Sequence, residues 1–264
     1  MQLGSDPDIL RQELLMTIRR GITDHPRSSQ LMIGPSELGT PCDRKLAFRL
    51  AETLEGESDT QPRPSWRPTV GTAVHAWLAG VMDADNERAR QSGIPERWAV
   101  ERRVMVGTVG GQEVWGSCDL YDRVTGTVID WKIVGTQTLR QAKRWGPSKV
   151  YRAQAHLYGR GFRHIGLPVE RVSLCYLPSA GELRDMVWWI RPYEETVATQ
   201  ALSRADGLMT ALRHAGRQLI IPSTPTTEGP CEWCPWWAPG QESIDPTRRC
   251  AGPALKQQEW RLDD

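Results

Sequence analysis

Between Trp98 and Val134 the apolar residues recur with a period of two, and this run constrains the fold more than any other. In VERRVMVGTV, residues 100 to 109, Val100, Arg102, Val104 and Val106 alternate with Glu101, Arg103 and Met105. QEVWGSCDLYD at 112 to 122 and GTVIDWKIV at 126 to 134 predict two more strands, joined by a turn around Gly126. Charges fall inside this run, with Asp119 in the second strand and Asp130 and Lys132 in the third. Residues two apart on a strand share a face, so Asp130 and Lys132 point to one side and Trp131 to the other. The hairpin can bring Asp119 beside them. An unpaired charge in such a place is costly, so these side chains need partners.

Two adjacent carboxylates repel, and a hard divalent cation resolves the conflict by accepting their oxygens. The ammonium of Lys132 can then stabilise charge growing on a phosphoryl oxygen, or position an attacking water. The residues alone are met equally by an Asp130–Lys132 ion pair that only fixes the strand. Glu101 could add a carboxylate to the same cleft or pair with a surface arginine. His75 lies in a predicted helix with Gly71, Ala73 and Ala76 around it, small residues that permit a close approach. Gln154 and Tyr158 are four apart and share one helical face, while Arg152 and His156 lie on others.

Elsewhere the 3.6-residue period predicts helices over 8–20, 70–93, 150–166 and 193–217, with Ser36 capping a short helix that starts at Glu37. A further helix follows Thr40 and Pro41, and residues 51 to 68 read as a polar surface loop. RVSLCYLP at 171 to 178 and LRDMVWWIRP at 183 to 192 predict two more strands. The order helix, three strands, helix, two strands, helix implies an α/β core, bordering on α+β, with one mixed sheet flanked by helices. At 264 residues, 39% of them hydrophobic, the chain can bury one substantial core. Lys plus Arg at 33 against Asp plus Glu at 32 excludes any argument from net charge to a polyanionic partner. No apolar run approaches a membrane span and the start lacks a signal-peptide layout, so a soluble, cytoplasmic protein with no membrane partner is expected.

The ordered set SELGTPCDRKLAF at 36 to 48, GTAVHA at 71 to 76, Glu101, GSCDLYD at 116 to 122, VIDWK at 128 to 132 and QAHLY at 154 to 158, followed by a cysteine-rich tail, resembles the PD-(D/E)XK nuclease superfamily. Within it the chain is most similar to RecB-like exonucleases and CRISPR-associated iron-sulfur nucleases, including phage-borne versions. The resemblance implies a restriction-endonuclease-like domain over 31–252, preceded by a helical extension over 1–30 and followed by a tail over 253–264. It implies His75, Asp119 and Asp130 as ligands of Mg2+ or Mn2+, Lys132 as the catalytic lysine, Glu101 as an auxiliary acid, and Gln154 and Tyr158 as residues that shape the site and touch the DNA backbone. Cys118 stands where the first motif often has proline, and Asp130 where the second often has glutamate.

Cys231 and Cys234 form a C-x2-C hook, Cys250 follows, and the best fourth thiolate is Cys42. Four thiolates suit zinc or an iron-sulfur cluster, and the resemblance favours a [4Fe-4S] cluster that ties the two ends of the domain together, with zinc as the alternative. Cys118 and Cys175 are assigned to the core. Arg140, Lys143, Arg144, Lys149 and Arg152 form a basic group after Lys132 suited to phosphate contacts. The implied activity is a metal-dependent DNA exonuclease acting on single-stranded or end-containing DNA. Its alternatives are a DNA-binding recombination-accessory protein and a CRISPR adaptation nuclease that trims captured DNA. DNA is the expected partner, with a recombination, helicase or adaptation protein as a further one.

Overall fold

The computed structural model describes residues 7–24, 33–55, 66–227, 231–239 and 245–253. Residues 56 to 65 of the expected surface loop and 254 to 264 of the expected tail lie outside them. The helices are α1 (Pro7–Thr23), α2 (Pro35–Leu38), α3 (Asp43–Glu55), α4 (Trp66–Gln91), α5 (Thr136–Trp145), α6 (Lys149–His164), α7 (Glu195–Ala215) and α8 (Arg217–Ser223). The strands are β1 (Trp98–Val109), β2 (Gln112–Asp122), β3 (Thr127–Val134), β4 (Arg171–Pro178) and β5 (Val187–Pro192). They form one sheet in the order β1-β2-β3-β4-β5, in which only β3 and β4 run parallel. The parallel step needs a crossover, and α5 and α6 supply it. This is a restriction-endonuclease-like α/β core with a mixed sheet between helices.

The sheet buries both faces unequally. On one side Tyr121, Val128, Val172, Leu174 and Tyr176 join residues of α2, α3, α6 and α7 in the main core. On the other, Leu120, Ile129, Trp131, Cys175 and Leu177 form a smaller cluster, against which Leu78 and Met82 of α4 pack. Asp130 and Lys132 thus lie on the face opposite Trp131, as strand alternation requires. Close packing near the site depends on glycine: a Cβ at Gly116 would lie 2.6 Å from Pro35 Cγ and 2.9 Å from Tyr158 Cε1. A Cβ at Gly71 would meet nothing within 4 Å, so the small residues around His75 do not mark a tight crossing at that point.

Other boundaries move. α3 runs on to Glu55 rather than stopping at residue 50, because Leu46, Ala47, Leu50 and Ala51 bury one of its faces. Residues 183 to 185 form a 3-10 turn, not the start of a strand, and β5 begins at Val187. α1 leaves Leu10, Leu14 and Ile18 exposed.

The four-cysteine clasp requires correction. Cys42, Cys231, Cys234 and Cys250 all line one cavity of about 410 Å3, together with Lys45, Phe48 and Tyr151. Among the described residues, however, the metal-competent group with ligand atoms within 4.8 Å of one another is His75, Glu101 and Asp119, and no set of cysteine sulfurs gathers in that way. The expected [4Fe-4S] cluster, and zinc in its place, are therefore not supported. Burial, with the neighbouring thiols, pushes the Cys231 and Cys234 thiols up. The ends of the domain are joined by other means. Phe48 of α3 stacks on Trp236 at 5.3 Å between ring centroids, and the Trp236 indole donates to Glu52 Oε1 at 3.2 Å. Arg44 donates to the carbonyls of Pro222 and Thr224 at 2.8 and 2.9 Å.

The β2–β3 turn is held by Asp122, which accepts from Arg97 at 2.9 and 2.7 Å, from the Val124 N–H at 3.0 Å and from the Thr125 hydroxyl at 2.7 Å. Burial disfavours its charge, but these donors outweigh burial and hold the carboxyl down at about 2. A lowered carboxyl pKa gives stability that is full above the ordinary value near 3.8 and is lost as pH falls through about 2. Asp122→Asn is expected to cost about 2 kcal/mol at neutral pH. Urea melts should show that difference shrinking as the pH is lowered from 4 towards 2.

Candidate active site

The site forms where β2 and β3 part. Their ladder ends at Leu120↔Ile129, and the next residue of β2, Asp119, turns its carboxylate into the fork, where Oδ2 accepts the Trp131 N–H at 2.7 Å. β1 changes face at the same level. Ala99 and Tyr121 lie in the main core, yet so do Val104, Val106, Val114 and Cys118, which strict alternation would put on the other side. The change occurs at Glu101, whose φ of 45° is left-handed and which stands between the pairs Val100↔Leu120 and Arg102↔Cys118. Such a backbone costs about 1–3 kcal/mol in a non-glycine residue. Here it swings the Glu101 carboxylate to Asp119.

α4 adds His75, whose Nδ1 lies 3.2 Å from Asp119 Oδ1. That hydrogen bond raises the histidine pKa above its ordinary value, against a smaller opposing effect of burial. His75, Glu101 and Asp119 each offer one ligand atom within 4.8 Å of the others, and all three remain partly accessible. Asp130 is not in this trio. It lies deeper, with its side chain 2% exposed, and Oδ2 is 2.5 Å from Lys132 Nζ. Burial raises the Asp130 pKa while the lysine charge opposes the rise. Burial also works against the charge of Lys132, but Asp130 and Asp119 outweigh it, so the ammonium is held more firmly protonated.

Lys132 is fixed from three sides. Besides Asp130, it donates to Gln154 Oε1 at 2.9 Å, and Gln154 Nε2 donates to the Tyr158 hydroxyl at 3.2 Å, which sets the orientation of the amide. Burial pushes the Tyr158 phenol up, so it stays neutral. The third side is Tyr151, whose ring lies 4.5 Å from Nζ. Sequence reasoning missed Tyr151; it is one turn before Gln154 on α6, and that spacing was the available signal.

The donor set fits a hard or borderline divalent cation: two carboxylates and an imidazole, with a third, buried carboxylate behind them. Asp130 Oδ2 is buried and taken up by the Lys132 ammonium, so its charge adds to the negative field behind the trio. Arg140, Lys143, Arg144, Lys149 and Arg152 are all exposed along α5 and the first turn of α6, just after β3. Arg144 stacks over the exposed Trp145 at 4.6 Å.

No protein-family model and no curated sequence matches the chain. Among solved structures it is similar to an alkaline exonuclease from Laribacter hongkongensis, at 12% identity and a TM-score of 0.46 over 71% of this chain and 90% of that one. It is also similar to a phage-related exonuclease from Haemophilus somnus 129PT, at 10% identity and a TM-score of 0.43 over 65% of this chain and 82% of that one. Likenesses this distant add no weight to the geometry.

Two outcomes are expected. Metal ligands must be deprotonated, so Mn2+ affinity measured by calorimetry should fall as pH drops through the raised His75 pKa, above the ordinary 6.5, and His75→Gln should remove that step. Glu101→Gly relieves the left-handed backbone, so its Tm without metal should match or exceed wild type while Mn2+ affinity falls about tenfold or more.

Proposed function

We propose that the chain is a metal-dependent deoxyribonuclease, and that it acts as an exonuclease on single-stranded or end-containing DNA. The observation that carries the reading is the meeting of His75, Glu101 and Asp119 within 4.8 Å beside a lysine anchored on three sides. An ion pair that merely fixed a strand would need neither the trio nor the Gln154–Tyr158 support.

The roles follow from position. His75, Glu101 and Asp119 would hold Mg2+ or Mn2+, with Asp130, paired to Lys132, lying behind them. When bound, the cation supplies Lewis-acid polarisation of a phosphodiester oxygen. Lys132 places a fixed positive charge where negative charge grows at phosphorus, and such a charge is worth most in the transition state. Gln154 and Tyr151 keep the ammonium in place, so it does not reorganise during the reaction. The exposed arginines and lysines of α5 and α6 attract phosphates without reading bases.

Lys132→Ala is expected to reduce cleavage of end-labelled DNA in Mn2+ or Mg2+ by at least about 100-fold, the loss typical of one preorganised electrostatic contact, while DNA binding changes little. Wild-type turnover in that variant, or no metal-dependent cleavage by the wild type, contradicts the proposal.

A further inference from the structure

The face change at Glu101 and Asp119 has an effect beyond the acidic cleft. Past it, Val104, Val106, Val114 and Cys118 turn into the main core, so Arg103, Ser117 and Trp115 point away from that core. They lie on the side of the sheet that α4 covers lower down, and here they are exposed. Arg103 pairs with Ser117, and Trp115 pairs with Met105 one step further out. The Arg103 guanidinium lies 5.1 Å from the centroid of the Trp115 ring. The indole is tethered by its N–H to Glu113 Oε2 at 2.9 Å, yet the residue keeps 39% of its surface in solvent.

Several tryptophans of this chain are exposed, and Trp115 stands out among them because two side chains hold its indole on the strand surface next to the acidic cleft. At about 3.3 Å per strand residue, Arg103 lies roughly 7 Å and Trp115 roughly 13 Å along the hairpin from the Glu101–Asp119 pair. A strand of nucleic acid leaving the acidic cleft in that direction meets a cation and then an aromatic surface. Among the described residues no carboxylate forms an ion pair with Arg103, so its N–H groups are available to phosphate oxygens while its plane stays on the ring. Stacking on indole needs a base with an open face, which the interior of a duplex does not offer.

We propose that Arg103 and Trp115 form a binding subsite for single-stranded DNA next to the acidic cleft, with Trp115 stacking an unpaired base and Arg103 neutralising the adjoining phosphate. The inference deepens the nuclease reading and rests on it for the direction of the strand.

The test is fluorescence anisotropy with a labelled oligothymidylate and a blunt duplex of equal length, in EDTA so that nothing is cleaved. Trp115→Ala should weaken single-strand binding about tenfold while duplex binding changes far less, and Trp115→Phe should restore most of the loss. Arg103→Ala should lower the salt dependence of single-strand binding by about 0.7 in the log–log slope. Melting curves identify any variant whose fold is damaged, and Arg103→Ala carries the test if Trp115→Ala fails to fold. Unchanged single-strand affinity in Trp115→Ala and Arg103→Ala overturns the inference, as does equal loss on both DNA forms. Binding through Trp115 by a protein that cleaves nothing would keep the subsite and remove the nuclease; cleavage with binding indifferent to both residues would do the reverse.

Discussion

The rest of the site depends on keeping a buried carboxylate charged, and Lys132 does this for Asp130 at 2.5 Å. Taking both charges out of water is expensive, and removing one partner from such a pair costs about 3–5 kcal/mol because the other is left buried alone. A hydrophobic pair of similar size would hold β3 as well or better. That the chain keeps the ions, and surrounds the ammonium with Gln154 and the Tyr151 ring, is evidence of use rather than of structural need. Desolvated and fixed, the ammonium has a strong field at little cost of reorganisation.

The second constraint is topological. β2 and β3 pair only as far as Leu120 and Ile129, and their divergence opens the space that Asp119 fills. Glu101 could not reach that space from a regular strand. Its left-handed backbone carries it there and reverses the facing of β1 beyond it, so one strained residue both brings its carboxylate to His75 and Asp119 and turns Arg103 outward. Local strain is tolerated because the strand is anchored on both sides, by the Arg97–Asp122 bonds below and by Val104 and Val106 in the core above.

Much of this was legible in the chain. Period two placed three strands, and the D-x-K spacing put Asp130 and Lys132 on one face with Trp131 on the other. The i,i+4 spacing put Gln154 above Tyr158, where the two now hydrogen-bond. What failed to show was geometry that no local pattern encodes. The positive φ at Glu101 has no glycine to announce it, so nothing in the sequence shows that its carboxylate meets His75 and Asp119 while Asp130 lies deeper, against Lys132. Nothing in the sequence singles out Tyr151 from other helical aromatics. The cysteines misled in the opposite sense: their spacing suggested a clasp, whereas the ends of the domain are fastened by Phe48 on Trp236 and by Arg44 on two carbonyls.

The central claim, that a divalent cation sits at the fork of β2 and β3, is open to direct measurement by anomalous diffraction from crystals soaked in Mn2+. The account predicts one strong manganese peak within about 2.0–2.6 Å of ligand atoms of His75, Glu101 and Asp119. Manganese bound only elsewhere, or no peak at the fork in crystals whose cleft is open to solvent, would contradict it.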